Sequence, residues 1–350
     1  MQTHKIFYTV CGIVSLVLWS TSTYCFKKTI DAFGIFSGFG IVQLLSGFLG
    51  IILYVAINGN TFTKITKESS IVIFLLLINL ISNGLIYALP PPGEVLFQCS
   101  IIGYMWTILL NILLVVGLDY KIKYKAGFYL GLLFAFVGIT ISCVGFDFEK
   151  INFPKYFLKY YYCYISAVIA AFSWAYYSVY SIKFKQFVNN DHTFISFCMA
   201  GILLLLFSFA NPKLNKFNEF NKINSDYEIL KSIGFLLYSV VMATIIPYYL
   251  WNIGYTKGNS KIIANFSLLS PVTNVTITQV IYGIPLLKNI ITGAIVLVIA
   301  MAFCKYSIEK NNIVSNDIAN AVTETDNSLE STNFIDLIYS TDSTNSIESV

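Results

Sequence analysis

The sequence predicts an all-α, polytopic membrane protein of about ten transmembrane helices. Three observations carry that expectation. Hydrophobic residues make up 56% of the 350 and charged residues 11%, and the mean hydropathy of +0.70 excludes an ordinary soluble globule. Apolar stretches run unbroken, as at 71–78 and 201–210, where a membrane β-barrel would alternate apolar and polar positions. Amides and hydroxyls gather in one apolar stretch, where lipid tolerates few, because an unpaired polar group in hydrocarbon is costly.

In chain order the expected spans fall at roughly 7–26, 34–57, 70–89, 95–117, 126–146, 160–182, 193–210, 232–251, 260–282 and 286–304. The first, Ile6 to Leu18 behind Lys5, has the outline of a secretion signal. It continues as Trp19-Ser20-Thr21-Ser22-Thr23 without a small-residue cleavage pattern, and a similar segment recurs, so it is kept as a span. The third carries Asn79 and Asn83, four apart and so on one helix face. The fourth opens behind Pro90-Pro91-Pro92-Gly93 with Glu94, and holds Tyr104, Trp106, Thr107 and Asn111. Polar segments of mixed charge at 147–159 and 211–231 read as solvent-exposed connections. The eighth and ninth spans meet at a Lys257-Gly258-Asn259 turn. The ninth is the polar one, with Asn265, Ser267, Ser270, Thr273, Asn274, Thr276, Thr278 and Gln279, which should face protein or a water-filled path. Pro271 within it marks a packing point or hinge.

Two halves are suggested. Trp19 and Trp174 each sit late in an apolar run that ends in lysines, at Lys27 and Lys28 and at Lys183 and Lys185. Gly117 precedes Gly127, and Gly283 precedes Gly293, by the same interval. Five spans being odd, the second half would enter the membrane the opposite way, giving two inverted five-helix repeats with a site near the midplane. The expected division is 1–146, a linker at 147–159, a second repeat at 160–306, and a disordered acidic tail at 307–350. After Lys310 the chain has seven acids and no lysine; the remaining 22 Lys and 11 acids leave the body at +11.

All basic residues are Lys, so no guanidinium fork exists to clamp a carboxylate or phosphate. The seven cysteines show no metal-ligand spacing and read as small buried hydrophobes. His4 and His192, near helix ends, read as solvated. There is no Ser/His/Asp set, no paired intramembrane carboxylates, no HExxH and no glycine-rich phosphate loop, so no enzyme, cofactor or metal site is expected.

Asp31, Glu94 and Asp119 are the acids nearest the spans, and Glu94 is the candidate for a coupling proton or a substrate amine, against the plainer reading of a solvated loop acid. Lys257 and Lys261 flank the tight turn and could meet an anion, though snorkelling explains them as well. Any one tryptophan is ordinarily an interfacial ring, but Trp19, Trp106, Trp174 and Trp251 fall two in each half, and Trp106 stands deep in its span. An aromatic pocket with a few amides suits a flat, partly apolar substrate. The candidate binding residues are Trp19, Asn79, Asn83, Tyr104, Trp106, Trp174, Tyr177, Trp251, Asn252, Asn265, Ser267 and Asn274.

The run Trp251-Asn252-x-Gly254-x3-Gly258-Asn259, then Ser270-Pro271-Val272, Gly283-x-Pro285-Leu286 and Gly293, resembles the final EamA repeat of the drug/metabolite transporter superfamily, most nearly the bacterial aromatic amino acid exporters. Shorter echoes are Leu18-Trp19-Ser20-Thr21, Leu45-Ser46-Gly47, Glu94-Val95, Tyr104-x-Trp106 and Ala171 to Tyr176. Three positions depart from that pattern: Ile284 replaces an acid, Thr107 replaces a proline, and Glu94 stands about one helical turn further from Trp106. The resemblance implies ten helices in two inverted halves, both termini cytosolic, a central cavity and alternating access. Lysine placement favours a cytosolic N-terminus only slightly, 12 against 10. The expected function is a secondary transporter or exporter of small amphipathic metabolites, amino acids including aromatic ones, in a lipid bilayer and without nucleic acid. Rival readings are a nucleotide-sugar or sugar-phosphate transporter, and a non-transporting receptor or assembly protein.

Overall fold

A computed structural model describes residues 2–59, 63–86, 93–118, 120–145, 153–210, 226–281 and 288–310. These are almost entirely helical: α1 (Gln2–Phe33), α2 (Ile35–Asn58), α3 (Lys67–Ile86), α4 (Gly93–Gly117), α5 (Lys125–Val144), α6 (Phe153–Lys183), α7 (Asn190–Ala210), α8 (Asp226–Val240), α9 (Ile246–Lys257), α10 (Ser260–Ser267), α11 (Ser270–Ile281) and α12 (Lys288–Ser307). Among the described residues nine helical stretches are long and apolar enough to cross a membrane, α8 and α9 counting as one, and the chain is an integral multi-pass membrane protein. The many exposed Leu, Ile, Val and Phe side chains on these helices suit a lipid-facing surface.

The ninth expected span is not one helix. Residues 260–281 form α10 and α11 end to end. The break follows from Pro271, which has no N–H to donate. Just before it, the N–H groups of Leu268 and Leu269 reach back three residues, to the carbonyls of Asn265 and Phe266 at 3.2 and 3.0 Å, and the helix stops. Pro247 acts more gently. A π-helical turn, Val241–Ile245, precedes it, with Ile246 N–H bonded to the Val241 carbonyl, so α8 continues into α9.

Other boundaries shift for local reasons. The segment expected as a linker at 147–159 is already helical from Phe153, where Pro154 suits a first turn, and the helix is irregular at Tyr160 (φ −122°, ψ 25°). The connection at 211–231 ends early, because Asp226 and Glu228 sit favourably in the first turn of α8. α1 runs on to Phe33 and stops at Gly34, whose φ of 90° is available mainly to glycine. Of the tail expected from 307, Ser307 ends α12 and residues 308–310 form a short strand, while residues 311–350, Asp119 and the Gly283-x-Pro285 motif lie outside the described residues.

The closest helix pairings are α2 with α7, α5 with α12, α4 and α3 with α6, and α1 with α9 and α11. Counting α8–α9 as the eighth span and α10–α11 as the ninth, this pattern maps onto itself when each span is exchanged with the one five later. Contacts between chain turns define one face. Asn259 N–H donates to Thr9 Oγ1 at 2.8 Å, Thr63 N–H to Asp191 Oδ2 at 2.7 Å, and Tyr120 Oη lies 3.4 Å from Ser260 Oγ. Here strands β1 (Tyr120–Ile122) and β2 (Ile308–Lys310) pair antiparallel, Tyr120 opposite Lys310. This is the face where α1 begins and α12 ends, and we call it the N-terminal face.

Candidate functional site: an aromatic centre between two polar seams

All four tryptophans converge. Trp19 of α1 lies 5.2 Å from Trp174 of α6 and 5.5 Å from Trp251 of α9, centroid to centroid. Trp106 of α4 lies 6.2 and 6.0 Å from Trp174 and Trp251, mostly edge to face, a geometry the ring quadrupole favours. Trp251 is 1% exposed, while Trp19 and Trp106 are half-buried. Tyr248 packs edge-on against Trp19 and Trp174, and Tyr255 stacks on Trp251 at 4.7 Å. Tyr248, Trp251 and Tyr255, spaced three and four apart on α9, form one helix face.

Toward the N-terminal face the centre gives way to hydrogen-bonding groups. Tyr177 Oη donates to Asn252 Oδ1 at 2.8 Å and lies 3.1 Å from Thr193 Oγ1. Asn252 Nδ2 donates to Asn190 Oδ1 and Thr193 Oγ1, both at 2.9 Å. Toward the opposite face a second seam joins α1 to α11. Ser20 Oγ lies 2.8 Å from Thr273 Oγ1, and Asn274 Nδ2 donates to Thr23 Oγ1 at 2.8 Å. Of α11 only Pro271 is buried, and Ser270 Oγ, Thr278 Oγ1 and Gln279 Oε1 lack partners among the described residues. α1 runs away from the N-terminal face while α6 and α9 run toward it, so the aromatic centre separates the two seams.

The remaining candidates fall elsewhere. Asn79 is 4% exposed and ties α3 to α6 by donating to the Ala170 carbonyl at 2.9 Å; Asn83 donates to Asn79. Asn79→Leu should therefore lower the melting temperature of the detergent-solubilised protein, a loss of about 1 kcal/mol. Tyr104 packs in a separate apolar cluster with Ile101, Ile108 and Leu268. Asn265 is buried between helices, donating to the Lys261 carbonyl at 2.8 Å with its Oδ1 unpaired, and Ser267 is buried and bonded to the Ala264 carbonyl. Neither faces an open path in this arrangement. Glu94 begins α4, but its side chain lies outside the described residues.

The two lysines fit the snorkelling alternative, and the reading of His192 changes. Lys257 lies over the Tyr8 ring at 5.6 Å, and Lys261 donates to the Ile308 carbonyl, both at the N-terminal face and away from the tryptophans. His192, read as solvated, is 1% exposed, beside the fully buried Asp191. The sequence hides this because the covering group, Thr63, is distant in the chain. Tyr248, Asn190 and Thr193 also escaped notice, although the spacing of Tyr248 from Trp251 is a legible signal.

Comparisons with known proteins follow this geometry. Residues 161–305 match the EamA-like transporter family. Over 293 residues the chain is 24% identical to the aromatic amino acid exporter YddG of Escherichia coli (strain K12), covering 82% of this chain and 92% of the relative. The aromatic amino acid exporter YddG of Salmonella typhimurium (strain 14028s / SGSC 2262) is 22% identical over 300 residues, with 85% and 96% covered. A protein crystal structure of 19% sequence identity shares the fold at a TM-score of 0.64, covering 86% of this chain and 97% of that one.

Proposed function

From a chain whose residues 161–305 match the EamA-like transporter family, we propose a carrier that exports small amphipathic metabolites, amino acids with aromatic side chains among them, by alternating access. One observation carries this reading: four tryptophans packed together inside the helix bundle with a polar seam on the side toward each face. Rearrangement of the aromatic centre would open one seam at a time. The rings offer faces and edges to a flat apolar body. The hydroxyl of Tyr177 and the amide of Asn252 offer donors and acceptors to its polar end. The name borne by the two relatives supports the same substrate class.

The broken ninth span suits such a device. α10 is held at the N-terminal face by the Asn259 side chain, which caps it by accepting from Ile262 N–H, while α11 touches α1 through two side-chain bonds. Both pieces pack on α1, the first beside its start through Asn259 N–H to Thr9 and the second beside Ser20 and Thr23, and the joint at Leu268–Ser270 is where they would move apart. The self-similar packing pattern supports two five-span halves of opposite orientation. Organic phosphates find less support, since a phosphate in a low-dielectric centre needs fixed positive charge, and among the described residues the lysines that lie over rings do so on Tyr and Phe, as Lys257 does on Tyr8 and Lys183 on Phe184.

Flux of radiolabelled amino acids into proteoliposomes is the direct test. Saturable flux is expected for Trp, Phe or Tyr, and its absence for every amino acid would remove this substrate class. Tyr177→Phe deletes the hydroxyl that meets Asn252 and Thr193 and leaves the ring in place; a rise in KM of about tenfold is expected, the equivalent of one lost hydrogen bond of ~1.4 kcal/mol.

A further inference from the structure

The geometry points to the buried pair Asp191–His192, at the start of α7, as a proton-binding site that couples proton uptake from the N-terminal face to substrate movement; this inference rests on the carrier reading above. Both side chains are fully buried. Asp191 Oδ2 accepts from Thr63 N–H at 2.7 Å and its Oδ1 from His192 N–H at 2.9 Å, in the electropositive first turn of a helix. Asn189 N–H donates to His192 Nδ1 at 3.2 Å. Nδ1 therefore presents a lone pair, and the ring proton sits on Nε2, which is buried with no acceptor among the described residues.

A histidine so held has two states. A proton from solution adds to the Nδ1 lone pair, forming one N–H bond and making imidazolium. Nδ1 then no longer accepts from Asn189 and can donate to Asp191 Oδ1, now 3.5 Å away. The pair gains one positive charge, and nothing else is consumed. Packed elements present few other titratable groups: Tyr54 of α2, which reaches Thr63 at 3.5 Å; Lys67 and Glu68 in the first turn of α3; Tyr177 of α6; and Tyr248 and Tyr255 of α9. Among the described residues Asp191 is the charge that acts on the ring.

Position makes the site useful. Outward, Asn189 Nδ2 donates to Thr63 Oγ1 at 2.8 Å in an exposed setting, so water reaches the next shell. Inward, the residues on either side of the pair, Asn190 and Thr193, both accept from Asn252, which accepts from Tyr177. Releasing Asn189 alters the very turn that places these two acceptors. Substrate engaging Tyr177 and Asn252 would pull on the same turn from inside, and the coupling is reciprocal.

The test uses the full chain in proteoliposomes loaded with a pH-sensitive dye, with the transported amino acid as probe. Wild-type flux at about pH 5.5 and about pH 7.5 should differ by at least about threefold, with a single midpoint between, and a substrate gradient should move luminal pH. His192→Gln keeps an acceptor for Asn189 but cannot hold the proton, so the ratio should fall to about one whatever its absolute rate. Asp191→Asn removes the carboxylate that faces the ring and should change the pH profile, while a remote surface substitution should not. Saturable wild-type flux with no pH dependence and no luminal response overturns the inference, as does a His192→Gln protein with the wild-type profile. Should the variants fail to fold, the wild-type dye response decides alone. Absence of saturable flux for every substrate sinks the carrier reading itself, and this site with it.

Discussion

Gly254→Val is expected to yield no monodisperse protein after detergent extraction. A Cβ at Gly254 would lie 2.6 Å from the Cα and N of Gly12 and 2.9 Å from the Tyr8 carbonyl oxygen, all backbone of α1. Backbone cannot step aside as a side-chain tip can, so α1 and α9 must separate. Overpacking of this kind costs about 1–3 kcal/mol where neighbours can adjust, and more where they cannot, against a total stability of about 5–15 kcal/mol. Separation also draws Trp19 away from Trp251 and Tyr248, so the damage reaches the aromatic centre. Gly103 in α4 is the control. A Cβ there meets nothing within 4 Å, and Gly103→Ala should leave size-exclusion behaviour unchanged or raise the melting temperature slightly, since alanine favours helix by about 1 kcal/mol.

Trp251→Ala should reduce initial flux by about a hundredfold, the equivalent of ~2.7 kcal/mol, and also lower the melting temperature. The indole touches the other three tryptophans and Tyr255, and its removal leaves a hole at the one point shared by α1, α4, α6 and α9. Trp251→Phe should retain much of the flux. Trp251 Nε1 has no acceptor among the described residues, so phenylalanine forfeits area but no hydrogen bond seen there. Flux and melting are measured together: a flux loss in Trp251→Phe as deep as in Trp251→Ala would mean that the indole itself, rather than an aromatic filler, is required.

The sequence made the helices legible because each is a long apolar run with few alternatives in a bilayer. The pairing of the tryptophans was legible too, as four rings distributed over two halves, although any one of them alone reads as an interfacial anchor. Interruptions were harder. Pro271 and Pro247 look alike in sequence, yet one ends a helix and the other is absorbed by a π-helical turn, a difference decided by how neighbouring helices satisfy the freed groups. Asn265 and Asn274 stand nine residues apart in the polar ninth span, and only packing assigns the first to a buried joint and the second to a seam. The burial of Asp191 and His192 rests on Thr63, which no local pattern links to α7.

The small antiparallel ladder between residues 120–122 and 308–310 has a practical corollary. By stitching the exit of the last helix to the turn after α4, it holds residue 310 on the side where residue 2 starts. Reporter domains fused ahead of residue 2 and beyond residue 310 would therefore sample a single compartment, and a quencher added to that compartment alone would silence both.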